Sequence, residues 1–261
     1  MPSIIDAIKP IFYDTSNRPK KFPVHESALQ RKLEEEYSPR EVRTALHTLQ
    51  RKKILDHVVT NTKFTGKVKF YYSYKLGLDQ EQQSKVLKKI KRLCYWIDRY
   101  SNPKITSMLG THLYSLVKSE LKTQEFEIVN EGNAKSYNGK IWPYSEHGLD
   151  LIGRHKKKNI VIGVEVKNTL DLIPYGEIQT KIKMCKYFGI TPIFACRWLK
   201  PYEKDIKLNG GFPWQFRIQM YPLGQERFVE EIRKRFNFLI DVRTELPKES
   251  VTSFEKWVEL R

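Results

Sequence analysis

"IVIGVEVKN", residues 160–168, is an apolar run that carries two charges. Ile160, Val161, Ile162, Val164 and Val166 have the pattern of a strand covered on both faces. Side chains alternate along a strand, so Glu165 and Lys167 share one face at its end. Burying charge is costly unless it is paired or bound to a metal. The placement of an acid and a base side by side therefore calls for a chemical reason.

The stretch upstream supplies one. "HGLDLIG" puts Asp150 on the preceding strand, and "GRHKKKN" (153–159) reads as a basic turn between the two. In such a hairpin Asp150 comes to lie beside Glu165. Two carboxylates that close repel, and one must take up a proton unless a cation sits between them. Hard oxygen ligands of this kind select Mg2+ or Mn2+. The ordinary structural alternative is a salt-bridged pair at a strand edge, where charge blocks aggregation. A second E-x-K triplet, Glu120-Leu121-Lys122, falls inside a helical pattern and lacks this context.

Outward from this hairpin the elements alternate. A helix is predicted at 105–122, then strands in "FEIVNEG", "GLDLIGR" and "NIVIGVEVKN", a helix at 175–189 and a strand in "TPIFACRW". That order implies a mixed sheet with helices packed on it. Past about residue 202 the pattern predicts a strand in "FRIQMYPL" and charged helices at 225–237 and 250–260. "NGGFPWQF" (209–216) reads as a Gly/Pro loop with an exposed-looking Trp214, which either wedges between bases or, as is more common, anchors the loop.

The N-terminal part reads differently. "HESALQRKLEEEYSPREVRTALHTLQRKKIL" contains two short helices, the second opened by Ser38, Pro39 and Glu41, a capping box with Pro at the first helical position. Val42, Ala45, Leu46 and Leu49 fall on one side of that helix and Arg40, Arg43, His47 and Arg51 on the other. A stripe of guanidinium groups suits phosphate oxygens and guanine edges. "HVVTNTKFTGKVKFYYSYK" then alternates as a hairpin with Gly66 near its turn, carrying Lys63, Lys67 and Lys69.

The chain as a whole fits these readings. With 261 residues, 40% of them hydrophobic, it is expected to be globular, with one or two domains. No apolar run is long enough for a membrane helix, and the opening "MPSIIDAIKPIFYD" lacks the layout of a signal peptide. Cys94, Cys185 and Cys196 are scattered, form no CxxC and point to a reducing, cytoplasmic setting. Forty-seven Lys and Arg against 30 Asp and Glu give +17, which makes a polyanion the expected partner.

Two resemblances follow. The helix-turn-helix plus basic hairpin, over residues 1–76, resembles the winged-helix DNA-binding domain. That resemblance implies that helix 38–53 enters a major groove and the hairpin lies on the minor groove or backbone. "GLDLIG…VIGVEVKN", over about residues 105–200, resembles the PD-(D/E)XK or restriction-endonuclease-like nuclease superfamily. It implies an α/β (α+β) protein: a winged helix (1–76), a linker and connecting helix (77–104), and a nuclease domain with a C-terminal extension (105–261). It further implies a Mg2+-dependent deoxyribonuclease in which Asp150 and Glu165 hold the metal and Lys167 assists water or the transition state. Gln179, on the helix after the Glu-x-Lys strand, joins the site by the same resemblance, and Lys181 or Lys183 is a candidate phosphate contact. Double-stranded or branched DNA is the implied partner and a homodimer the implied assembly.

The pattern is incomplete. The superfamily's first-helix acid has no clear counterpart, and His112, Glu120 and Glu146 are the candidates. Two other readings stay open: a structure-selective, Holliday-junction-type nuclease, and a DNA-binding regulator whose nuclease-like domain only dimerises.

Overall fold

The computed structural model describes residues 3–261; Met1 and Pro2, the first two residues of the expected N-terminal domain, lie outside the described residues. The protein is a mixed α+β chain of two compact units. The first runs to Ile105 and takes in Glu230–Phe238; the second comprises Thr106–Val229 and Leu239–Arg261.

The first unit contains α1 (Ile4–Phe12), β1 (Val24–His25), α2 (Glu26–Leu33), α3 (Pro39–Arg51), β2 (Leu55–Thr62), β3 (Gly66–Ser73), α4 (Tyr74–Gly77) and α5 (Gln80–Tyr100). Its three strands form an antiparallel sheet in the order β1-β3-β2. The expected capping box is present: Ser38 Oγ accepts from the Glu41 N–H at 3.3 Å, and the Ser38 N–H donates to Glu41 Oε2 at 2.8 Å. Two of the orphan donors at the start of α3 are thereby satisfied. Val42, Ala45, Leu46 and Leu49 then bury one face of α3 against Ile8, Phe12, Leu29, Leu55 and Tyr71.

Residues 77–104, expected as a linker and connecting helix, are instead part of this unit. Asp79 caps α5 by accepting from the Gln82 N–H, which starts the helix inside what reads as a polar connector. Further along α5, Asp98 accepts from the N–H groups of Lys63 and Phe64 and ties down the turn between β2 and β3. Residues 230–238, expected with the C-terminal extension, belong here too: Phe236 and Phe238 both meet the Tyr100 ring edge-on.

The second unit is built on α6 (Pro103–Thr123), β4 (Phe126–Ala134), the small ribbon β5 (Ser136–Tyr137) and β6 (Lys140–Ile141), β7 (Leu149–His155), β8 (Val161–Lys167), α7 (Tyr175–Phe188) and β9 (Thr191–Cys196). It continues through α8 (Glu203–Leu208), β10 (Phe212–Gln215), β11 (Gln219–Tyr221), the start of α9 (Glu226–Phe236, which passes into the first unit at Glu230), β12 (Ile240–Val242) and α10 (Lys248–Glu259). The main sheet has the order β10-β9-β8-β7-β4. β10, β9 and β8 are parallel, and β7 and β4 are antiparallel to their neighbours.

Helices cover both faces of this sheet. Leu113, Val117 and Leu121 of α6, with Phe254 and Val258 of α10, pack on Leu151, Ile162, Val164, Ile193 and Ala195. On the other face Met184, Cys185 and Phe188 of α7 meet Leu149 and Ile152, while Ile178 and Ile182 meet Phe194 and Cys196. Each Val, Leu, Ile, Phe or Met among them contributes about 1.5–3 kcal/mol on full burial.

Gly163 sets how closely α7 approaches. A Cβ there would lie 2.7 Å from Leu149 Cδ1, 2.8 Å from Cys185 Sγ and 2.9 Å from Ile190 Cδ1.

The segment expected as a Gly/Pro loop is the edge strand β10. Its Trp214 is fully buried, stacked on Phe254 at 4.2 Å, with Nε1–H donating to the Ser250 carbonyl at 3.1 Å. Pro213 is tolerated because β10 pairs on one side only. No helix among the described residues is long and apolar enough to cross a membrane.

Candidate active site

The charges of β8 lie on the face covered by α7. Val164 belongs to the core under α6, so the alternating residues Glu165 and Lys167 point the other way. The β7–β8 register pairs Leu151 with Val164, and one residue further it brings Asp150 opposite Glu165. Asp150 also holds the strand end: its Oδ2 accepts from the Val166 N–H at 2.6 Å.

Helix α7 contributes two further charges one turn apart, Glu177 and Lys181. Lys167 Nζ lies 2.9 Å from Glu177 Oε1 and 3.4 Å from Glu165 Oε1. Lys181 Nζ lies 2.5 Å from Glu165 Oε2 and also donates to the Gly148 carbonyl. Gly148 can sit there because it has no Cβ; one would come within 2.4 Å of the Asn133 backbone. The result is an alternating row, Glu177, Lys167, Glu165, Lys181, with Asp150 beside it. Glu165 is 2% exposed and Lys181 5%. The Glu165 Oε2 contact is one of charge; no aligned hydrogen bond reaches that buried oxygen.

The electrostatics follow from burial. Desolvation, reinforced by the charge of Asp150, pushes the Glu165 carboxyl up to about 7, against the pull of Lys181 and Lys167. Burial also raises Asp150, opposed by the Val166 N–H and by both lysines. For Glu177 burial works upward, but the Lys167 hydrogen bond and charge, with a hydrogen bond from Glu165, bring it below its usual range. Burial pulls Lys167 down, and the Glu177 hydrogen bond with the charges of Glu165, Glu177 and Asp150 more than reverses this. Neighbouring carboxyls pushed apart in this way can divide proton-holding and charge-holding roles.

The strand end is fixed from the side of the following residue. Asn168 Nδ2 donates to the carbonyls of Leu109 at 2.8 Å and Met220 at 2.6 Å, and its Oδ1 accepts from the Met220 N–H at 3.0 Å. Lys167 is thus carried on backbone with little freedom to shift.

Asp150, Glu165 and Lys167 therefore converge. Gln179 does not join them: it is half-buried and lies roughly 160° around α7 from both Glu177 and Lys181. Lys181, expected as a phosphate contact, is buried in the ion-pair row, and Lys183 is exposed. The three candidate acids or substitutes are engaged elsewhere. A carbonyl only accepts, so His112 Nε2 carries a hydrogen and donates to Arg243 O at 2.7 Å. Glu120 accepts from Gln124, and Glu146 pairs with Lys135. Beside α6 the acid is Glu131 of β4, whose Oε2 accepts from the Tyr114 hydroxyl at 2.7 Å and from Lys118 at 2.5 Å. Sequence reasoning passed over Glu177 and Glu131. Glu177 was signalled by its i, i+4 spacing to Lys181 within an apolar face; Glu131 had no signal.

A divalent ion fits the carboxylate pair to a limited extent. Among the described residues no three His, Cys, Asp or Glu side chains are arranged as a cage. Asp150 and Glu165 would supply two oxygen ligands, the second of them a buried oxygen without an aligned hydrogen bond. Mg2+ is often bound by one or two carboxylates, with water and phosphate completing its shell.

In the first unit Arg40, Arg43, His47 and Arg51 are all exposed along α3. Arg43 Nε donates to Glu26 Oε1 at 3.0 Å. On the hairpin Lys63 and Lys67 are exposed; Lys69 is half-buried, its Nζ 5.8 Å above the Tyr71 ring.

No protein-family model, curated protein or solved structure matches the chain.

Proposed function

We propose that the protein is a DNA endonuclease whose second unit hydrolyses phosphodiesters at Asp150, Glu165 and Lys167, and whose first unit binds the duplex as a winged helix. The observation that carries this reading is the adjacency of two partly buried carboxylates and a lysine at the paired ends of β7 and β8. The net charge of +17 and the cationic stripe of α3 agree with a polyanionic substrate.

Asp150 and Glu165 are the residues that would hold Mg2+ or Mn2+. When bound, such an ion supplies Lewis-acid stabilisation of phosphate charge and lowers the pKa of its water. The chain's own part is to orient and to manage protons. Lys167, held cationic by Glu177 and Glu165, offers its ammonium to the charge that builds on the phosphoryl oxygens. Glu165, with its carboxyl near 7, must be ionised to serve as a ligand. Asn168 keeps the strand end in register. Arg40, Arg43, His47 and Arg51 would face the groove, with Lys63, Lys67 and Lys69 on the backbone.

A second reading, binding without hydrolysis, has one observation in its favour: Lys181 and Lys167 already neutralise Glu165. Plasmid cleavage in Mg2+, Mn2+ or EDTA separates the two. Metal-dependent nicking that disappears in Asp150→Ala and Lys167→Ala, with DNA affinity kept, is expected. Tight binding and no nicking on supercoiled, linear or branched DNA would establish the second reading.

A further inference from the structure

The first unit contains a cavity of about 810 Å³ that the nuclease reading does not use. Apolar side chains of α1, β1, α2 and α5 form its walls, and among the described residues no acidic side chain lines it. Lys32, Arg92 and Lys234 stand on its rim, exposed and without an acidic partner among the described residues. Two aromatic rings border it. Phe236 is buried, whereas Phe22 is 66% exposed at the pocket mouth. Lys89 Nζ covers Phe22 at 3.9 Å from the ring centroid, which fixes the ring without burying it. In the wall His25 is 6% exposed, and its Nδ1 is buried without a hydrogen-bond partner.

These features specify a ligand. Several unpaired cations and no acid call for more than one negative charge, which suits a phosphate better than a carboxylate. Exposed and buried rings at one cavity suit a flat aromatic body. The volume lies within the range of small-molecule sites. We propose that this cavity binds a phosphorylated nucleoside, its base against Phe22, its phosphate among Lys32, Arg92 and Lys234. Burial, with the charge of Arg31, brings His25 down to about 4, so the ring is a neutral hydrogen-bonding group at physiological pH.

The same chemistry is presented by a free nucleotide and by the 5′-phosphorylated end of an unpaired strand. Titration calorimetry of the full chain with dAMP, ATP, a 5′-phosphorylated oligothymidylate, deoxyadenosine and inorganic phosphate tests the site. Nucleotide binding tighter than either deoxyadenosine or phosphate alone is expected. Phe22→Ala and Arg92→Glu, both at exposed positions, should each weaken it by about tenfold. Lys256→Glu, the same loss of a cation on α10, should leave it within about twofold. Preference for the strand end over dAMP assigns the site to a strand terminus; the reverse assigns it to free nucleotide. No binding, phosphate binding as tightly as nucleotide, indifference to Phe22→Ala, or tighter binding of dodecyl phosphate would each overturn the proposal.

Discussion

The most exacting consequence of the site is thermodynamic. Glu165 and Lys181 are among the most buried charges in the second unit, at 2% and 5% exposure. Raising the Glu165 carboxyl from 4.5 to about 7 corresponds to an uphill ionisation of about 3 kcal/mol, at 1.36 kcal/mol per pH unit. The folded state favours the protonated form, so this contribution is fully present below about pH 4.5 and is lost as pH rises through about 7. Lys181→Met removes the cation from an ionised Glu165. At pH 8 it should cost about 3–5 kcal/mol, the usual penalty for orphaning a buried charge. At pH 5.5 Glu165 is protonated, and the same substitution should cost far less. Glu165→Gln alone orphans Lys181 at pH 8 but changes no charge at pH 5.5, whereas Lys181→Met with Glu165→Gln should recover most of the loss at pH 8. Urea unfolding followed by tryptophan fluorescence suits the test, because four of the five tryptophans (Trp142, Trp198, Trp214 and Trp257) lie in the second unit. A coupling energy of at least ~2 kcal/mol at pH 8 is expected. Additivity within ~0.5 kcal/mol, or a Lys181→Met cost independent of pH, would refute the buried pair.

Three further outcomes follow from particular contacts. Asn168→Ala removes three hydrogen bonds, so unfolding should become easier by about 2–4 kcal/mol, and nicking should fall more than DNA affinity. Gly163→Ala forces a methyl against Leu149, Cys185 and Ile190 and should cost about 1–3 kcal/mol; a neutral melt would mean that α7 is free to retreat. Arg40→Ala with Arg43→Ala should weaken DNA binding and flatten the log–log salt dependence by about 2, measured by fluorescence anisotropy. An unchanged slope would remove α3 from the DNA interface.

What the sequence made legible was local. The capping box at Ser38 and Glu41, the hairpin around Gly66 and the apolar run of β8 each depend on residues a few positions apart, and each stands where the pattern put it. What it concealed was relational. The start of 77–104 reads as a linker because its composition is polar, yet Asp79 caps a 21-residue helix whose Asp98 holds the β2–β3 turn. Trp214 reads as a loop residue because Gly and Pro flank it; the missing N–H of Pro213 matters little on an edge strand. Gln179 was placed by its element rather than by its phase on α7, and phase decides which side chains meet the sheet.

The alternation of Glu165 and Lys167 indicated that two charges share a face, but not what that face meets. The facing helix supplies a second acid and a second base, so every charge in the row has an opposite neighbour. Asp150 contributes to folding by accepting from the Val166 N–H, yet it is desolvated, raises Glu165 further and, among the described residues, has no lysine within salt-bridge range. The additional negative charge is a cost to folding, and it is the feature a divalent cation would offset. Chelation or addition of Mg2+ should therefore move the unfolding midpoint of the wild-type chain but not that of Asp150→Asn, and a shift common to both would detach the metal from this site.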